Sequence, residues 1–219
     1  MKTTTAATCA LLLTILAGGP SAALTIDDFE SGPFSVVDDT SSASQTSAEQ
    51  SGLPASSVVG NVRLTTVGAS SGTFTASLTT TPGDDSLVLS STGSGTANLF
   101  YDGSAGSATR ALGLDLSAFS SIKLTTAATA AGASVRAYLY DSDSFQFSGL
   151  VPIGTGTVVI PLSLFNATDL TDIQQIRFFV SGVNSTRTVS FARIWAIPEP
   201  STALLLGAGL AGLAVRRRR

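Results

Sequence analysis

Ser134-Val135-Arg136-Ala137-Tyr138-Leu139-Tyr140 sets side chains of two kinds in strict alternation. On an extended strand successive side chains point to opposite faces. Arg136, Tyr138 and Tyr140 therefore share one face, and Ala137 and Leu139 share the other. Two later runs repeat the device. Arg177 and Phe179 oppose Ile176, Phe178 and Val180, and Arg193 and Trp195 oppose Ala192, Ile194 and Ala196. Each run sets an Arg two residues before an aromatic ring, away from its more aliphatic side.

Working outward, β-type runs punctuated by Gly, Ser, Asp and Asn fill the chain from Leu24 to Ile197, with no helical period of useful length. Expected strands are Leu24–Phe29, Ser57–Val67, Thr73–Thr80, Ser86–Ser91 and Thr96–Tyr101, followed by Ser121–Thr126, Ser134–Tyr140, Thr157–Pro161, Gln174–Ser181 and Thr188–Ile197. Short strands separated by turn signals predict an all-β, two-sheet β-sandwich whose inner faces bury the alternating apolar residues. The Ser-rich stretch Thr40–Ser57 reads as a long loop. Asp115-Leu116-Ser117 and Asp169-Leu170-Thr171 each precede an Ile seven residues after the Asp, the spacing of a capped turn leading into a buried strand.

Composition removes whole chemistries. The 219 residues include no His, so there is no imidazole base and no His-ligated metal. The single Cys, Cys9, lies in the N-terminal segment read below as a leader, which leaves the body without disulfide or thiolate. Between Leu24 and Ile197 stand seven basic residues against fourteen acids, a net charge of −7. That balance argues against a nucleic-acid partner, which needs clustered Lys and Arg. Ser and Thr make 51 of these 174 residues, as suits a β-rich exported domain of one core.

The two ends read as addresses. Lys2, the apolar run Ala10–Ala17 and the small residues Ser21-Ala22-Ala23 form a signal peptide over residues 1–23, with cleavage after Ala23. At the other end Pro198-Glu199-Pro200 precedes an apolar helix over 201–215 and the Arg tail 216–219. That helix would extend roughly 22 Å, a little short of the ~30 Å hydrocarbon core. The Arg cluster would stay cytoplasmic, placing the body across the inner membrane.

Pro-Glu-Pro-Ser-Thr, a Leu/Gly/Ala helix and an Arg-rich end resemble the PEP-CTERM sorting signal, over residues 198–219. The resemblance implies that Pro198, Glu199 and Pro200 are the motif recognised by an exosortase, a transpeptidase-like membrane enzyme, and that helix and tail are discarded. It further implies an inner-membrane anchor before processing, and a destination at the cell surface or in the exopolysaccharide matrix.

The body, 24–197, resembles carbohydrate-binding-module or galactose-binding-like jelly rolls. The residues responsible are Ile26-Asp27-Asp28-Phe29-Glu30, Val159-Ile160-Pro161-Leu162 with Asp169-Leu170-Thr171, and the closing Val189–Ala196 strand. Many such jelly rolls hold a structural calcium between an acidic first strand and an Asp in the last. Asp27, Asp28 and Glu30 could supply oxygen ligands here, although Phe191-Ala192-Arg193-Ile194 offers no acid.

The chemistry legible beyond that is recognition rather than catalysis. If the three Arg/aromatic strands are neighbours, Arg136, Tyr138, Tyr140, Arg177, Phe179, Arg193 and Trp195 form one platform. Rings stack on sugars, and Arg pairs bidentately with uronate carboxylates. Asp141-Ser142-Asp143-Ser144 reads as a solvated turn. The acid pairs Asp38/Asp39 and Asp84/Asp85 read as turns rather than a glycosidase dyad, so no enzyme is expected. Two roles stand: a structural or adhesive protein of the surface or matrix, and a carbohydrate-binding module for an acidic glycan.

Overall fold

A computed structural model describes residues 22–39, 45–79, 85–103, 111–129 and 131–199. Its first half contains β1 (Leu24–Asp27), β2 (Ser35–Asp38), β3 (Thr46–Gln50), β4 (Arg63–Ser71), β5 (Phe74–Thr79), β6 (Ser86–Ser91) and β7 (Ser94–Tyr101). The second half contains β8 (Phe119–Ala128), β9 (Ser134–Tyr140), β10 (Phe145–Phe147), β11 (Val151–Pro152), β12 (Gly156–Pro161), β13 (Gln175–Asn184) and β14 (Val189–Pro198).

These strands form two seven-stranded sheets. The front sheet runs β10-β9-β13-β7-β4-β3, with β11 also paired to β9. The back sheet runs β12-β8-β14-β6-β5-β2, with β1 beside β14. The expected all-β two-sheet sandwich is therefore the observed architecture. Alternation places Val135, Ala137 and Leu139 of β9 and Ile176, Phe178 and Val180 of β13 in the core. Leu87 and Leu89 of β6 and Ile122 and Leu124 of β8 meet them from the back sheet. Phe74, Phe165, Phe178 and Phe191 are fully buried, each contributing roughly 1.5–3 kcal/mol. At the β13 bulge between Val180 and Val183, Gly182 has φ +81°, and a Cβ there would meet the Gly132 carbonyl at 2.4 Å.

Four strands depart from the sequence reading: β2, β3 and β10, which end their sheets, and β11, which pairs only with β9. Strand β3 falls inside Thr40–Ser57, which was expected to be a loop. The expected strand Ser57–Val67 instead turns through a 3₁₀ segment at Val59–Asn61, because Gly60 and Asn61 take φ +74° and +61°. β4 starts only at Arg63 and runs on to Ser71. The two Asp-led turns hydrogen-bond to each other, Leu116 N–H donating to the Leu170 carbonyl at 2.7 Å. Residues 1–21 and 200–219 lie outside the described residues, and with them nearly all of the signal peptide, Pro200, the apolar helix and the Arg tail. Among the described residues no helix is long and apolar enough to cross a membrane.

Candidate functional site

The outer face of the front sheet brings β9 and β13 side by side. Arg177 is registered against Tyr138 on one side and Phe100 of β7 on the other. Its guanidinium carbon lies 4.8 Å from the Tyr138 ring centre and 5.2 Å from that of Phe100. Arg177 Nε–H donates to Asn98 Oδ1 at 2.9 Å, which fixes the plane of the fork with a neutral partner. Phe179 is registered between Arg136 and Asn98. Neither Arg136 nor Arg177 forms an ion pair with a described residue.

Edge strand β10 supplies rings that the sequence reading did not assign to the site. Phe145 and Phe147 stand opposite Tyr140 and Tyr138 and are 52% and 51% exposed. Phe147 lies 5.6 Å from Tyr138 and under the Arg136 guanidinium at 4.9 Å. Phe145 stacks on Tyr140 at 5.2 Å, which leaves Tyr140 only 8% exposed. Tyr140 is therefore a support for the exposed rings rather than a stacking face. The outcome is a row, Phe147–Tyr138–Arg177–Phe100, of three rings and one cation, with Phe147 exposed and the other three partly exposed. A flat apolar ring of a sugar can lie on such a row while a carboxylate meets the guanidinium fork. The signal for β10 was Phe145-Gln146-Phe147 itself, a three-residue alternation too short to separate from a turn.

Arg193 and Trp195 are not part of this face. The β13–β14 connection passes the chain from the front sheet to the back sheet, and β14 pairs with β8, β6 and β1 there. Arg193 lies 5.7 Å over Trp195 and donates from a terminal nitrogen to Thr25 Oγ1 at 2.9 Å. A single platform of three strands is thus replaced by two strands on one side and one on the other.

The acidic start of the chain does something other than hold a cation. The Asp27 carboxylate accepts both contacts of Arg63 Nη1, at 2.8 and 2.7 Å, the Tyr101 hydroxyl at 2.8 Å and the Phe29 N–H at 2.8 Å. Arg63 also donates to Gln50 Oε1 and to Ser31 Oγ, and its guanidinium lies 5.2 Å over Phe29. Burial pushes the Asp27 carboxyl up from its ordinary value against the pull of Arg63 and these hydrogen bonds, and it pushes the Tyr101 hydroxyl well above its own. Asp28 accepts from the Glu30 N–H at 3.1 Å in a local turn, and Glu30 is exposed. Asp27, Asp28 and Glu30 do not fit a calcium site, because Arg63 already occupies the Asp27 oxygens. Among the described residues no three acids gather that could hold a metal.

Other acids are equally committed. Asp141 accepts the N–H groups of Asp169, at 2.9 Å, and of Asp143 and Ser144, which hold its carboxyl down at about 2. Asp38 is buried and accepts from Ala69 N–H at 2.8 Å, while Asp39 is exposed; Asp84 lies outside the described residues.

The C-terminal motif begins inside the sheet. Pro198, the last residue of β14, is registered against Phe119, and Glu199 N–H donates to the Ala118 carbonyl at 3.0 Å. Ser120 Oγ reaches the Ile197 carbonyl at 3.3 Å. Glu199 borders a cleft of about 570 Å³ shared with Phe119, Phe165 and Asp169.

Residues 196–219 match the PEP-CTERM protein-sorting motif. The chain carries a PEP-CTERM sorting signal. A search of curated proteins finds no match. Among solved structures, the family 11 carbohydrate-binding module of a cellulosomal cellulase from Clostridium thermocellum is similar at 14% identity, covering 81% of this chain and 95% of that one, with a TM-score of 0.43. The solution structure of CtCBM11 is similar at 15% identity over 84% and 99% of the two chains, with a TM-score of 0.47. TmCBM61 in complex with β-1,4-galactotriose gives 10% identity over 78% and 92%, with a TM-score of 0.30. These structural neighbours of the PEP-CTERM chain are carbohydrate-binding modules of jelly-roll type.

Proposed function

We propose that this is an exported, exosortase-processed protein of the cell surface or exopolysaccharide matrix, non-catalytic, with an adhesive role exercised by holding acidic glycan on its front sheet. The observation that carries the sorting half is the PEP-CTERM match at residues 196–219, which implies export and a C-terminal membrane anchor before processing. The adhesive half is supported by Arg177, set between Tyr138 and Phe100 with no ion pair to an acid among the described residues. A body of net charge −7 that keeps a guanidinium among rings, with no ion pair to a described acid, is arranged for a carboxylate carried by something else.

The test is the intact mass of the protein recovered from the envelope and the medium of its native host. Loss of residues 1–23 and of the segment beyond the Pro-Glu-Pro motif is the expected result. A mass running through Arg219 in the membrane fraction would make the chain a permanently anchored protein and overturn the sorting role.

A further inference from the structure

We propose that the back sheet is a second glycan-binding face, so that one sandwich bridges two acidic polysaccharide chains; this rests on the reading of the front sheet as a glycan-binding face. Of the acids among the described residues, only Glu49 points outward from a strand, at the edge strand β3 of the front sheet. The rest are buried or lie in turns and at strand ends. Among the described residues, the outward positions of the back sheet carry no acid. They read Ser, Thr, Val, Ala, Pro and Ile, with Lys123, Arg193 and Trp195 at the centre.

The cations are sorted just as sharply. Arg63 is sealed against Asp27, and Arg187 donates to the Gly182 carbonyl at the end of β13. Arg110 lies outside the described residues. The remaining four divide evenly, Arg136 and Arg177 on the front face, Lys123 and Arg193 on the back. None of the four pairs with a described acid.

On the back sheet Trp195 is registered directly against Lys123, and Arg193 against Thr125. Lys123 and Arg193 are therefore diagonal neighbours, roughly 7–8 Å apart, and Trp195 adjoins both, opposite the one and two residues from the other. Thr25 flanks Trp195 from β1 and anchors Arg193. Two cations around one ring, on an acid-free face, repeat the chemistry of the front face: a ring for the sugar plane and charges for successive carboxylates. Because the sheets pack face to face, about 10 Å apart, their outer surfaces point away from each other. A chain lying across one face cannot at the same time lie flat on the other. A two-faced acidic body with cationic faces thus links separate polyanions and multiplies weak contacts into a network.

The experiment mixes the protein recovered from the host with polygalacturonate, measuring binding on an immobilised layer and light scattering in solution across a range of protein-to-polymer ratios. The wild type is expected to bind and to give a scattering maximum at intermediate ratio, falling again in excess protein. Lys123→Ser with Arg193→Ser is expected to keep binding the layer but to lower the maximum about fivefold or more. Lys123→Ser alone, a change at a half-buried outward position of β8, is the second variant, and unfolding midpoints verify that both are folded. Scattering by the folded double variant equal to the wild type overturns the second face and leaves the front face standing. Binding without any scattering maximum in the wild type also overturns bridging. Failure of the wild type to bind polygalacturonate at all removes the front-face reading, and the bridge with it.

Discussion

Arg63 and Arg177 stand on the same sheet and both hold their guanidinium carbons close to two aromatic rings. The distances are 5.2 and 5.9 Å for Arg63 over Phe29 and Phe34, and 5.2 and 4.8 Å for Arg177 over Phe100 and Tyr138. Their surroundings differ in one respect. Arg63 faces inward from β4, is fully buried, and spends its charge on Asp27 of β1 in the opposite sheet. Arg177 faces outward from β13 and has only the neutral amide of Asn98. A cation over rings is thus a structural clamp when a carboxylate closes it and an open receptor when none does. The ring geometry alone does not distinguish the two.

The largest effect expected from this contrast is on the clamp. Arg63→Ala would leave the Asp27 carboxylate buried without its counter-charge and cost about 3–5 kcal/mol of stability, read by denaturant unfolding. A loss under about 1 kcal/mol would mean that the two sheets do not depend on the pair. Tyr101→Phe removes one donor from Asp27 but leaves Arg63 in place, so the expected loss is smaller, about 1 kcal/mol.

A smaller and pH-dependent effect is expected at Asp141. Its folded carboxyl titrates at about 2, below the ordinary Asp value of 3.8, because the Asp169, Asp143 and Ser144 N–H groups favour its ionised form. A depressed carboxylate contributes stability that is complete above the unfolded value and lost as pH falls through the folded one. Between about pH 4 and pH 2 the wild type should therefore lose thermal stability faster than Asp141→Asn. Parallel midpoint curves for the two proteins over that window would dismiss the contribution.

The outward-facing half of this contrast was legible in the sequence, the buried half was not, and the failures have physical causes. Strict alternation in Ser134–Tyr140 and Gln174–Ser181 assigned inner and outer faces of β9 and β13, because a period of two leaves no other arrangement once one face is apolar. Alternation says which way a side chain points relative to its own strand, but not which sheet the strand joins. Arg193 and Trp195 were for that reason grouped with Arg177, although the β13–β14 connection changes layers. The polar strand Thr46–Gln50 has no apolar face to betray it, and an edge position asks for none. Asp27 looked like a cation ligand because its partner, Arg63, stands 36 residues away, a separation no local pattern encodes.

The contrast between clamp and receptor is tested most directly by making the same change at both positions, Arg63→Met and Arg177→Met, each in a Lys123→Ser/Arg193→Ser parent in which only the front face is left to bind, and measuring unfolding and polygalacturonate binding on each protein. Arg63→Met should unfold at markedly lower denaturant, while the fraction still folded binds as the parent does. Arg177→Met should unfold within about 0.5 kcal/mol of that parent and lose most of its binding. Binding that survives Arg177→Met, or a stability loss there matching that of Arg63→Met, would contradict the assignment of the front sheet as the glycan-holding face.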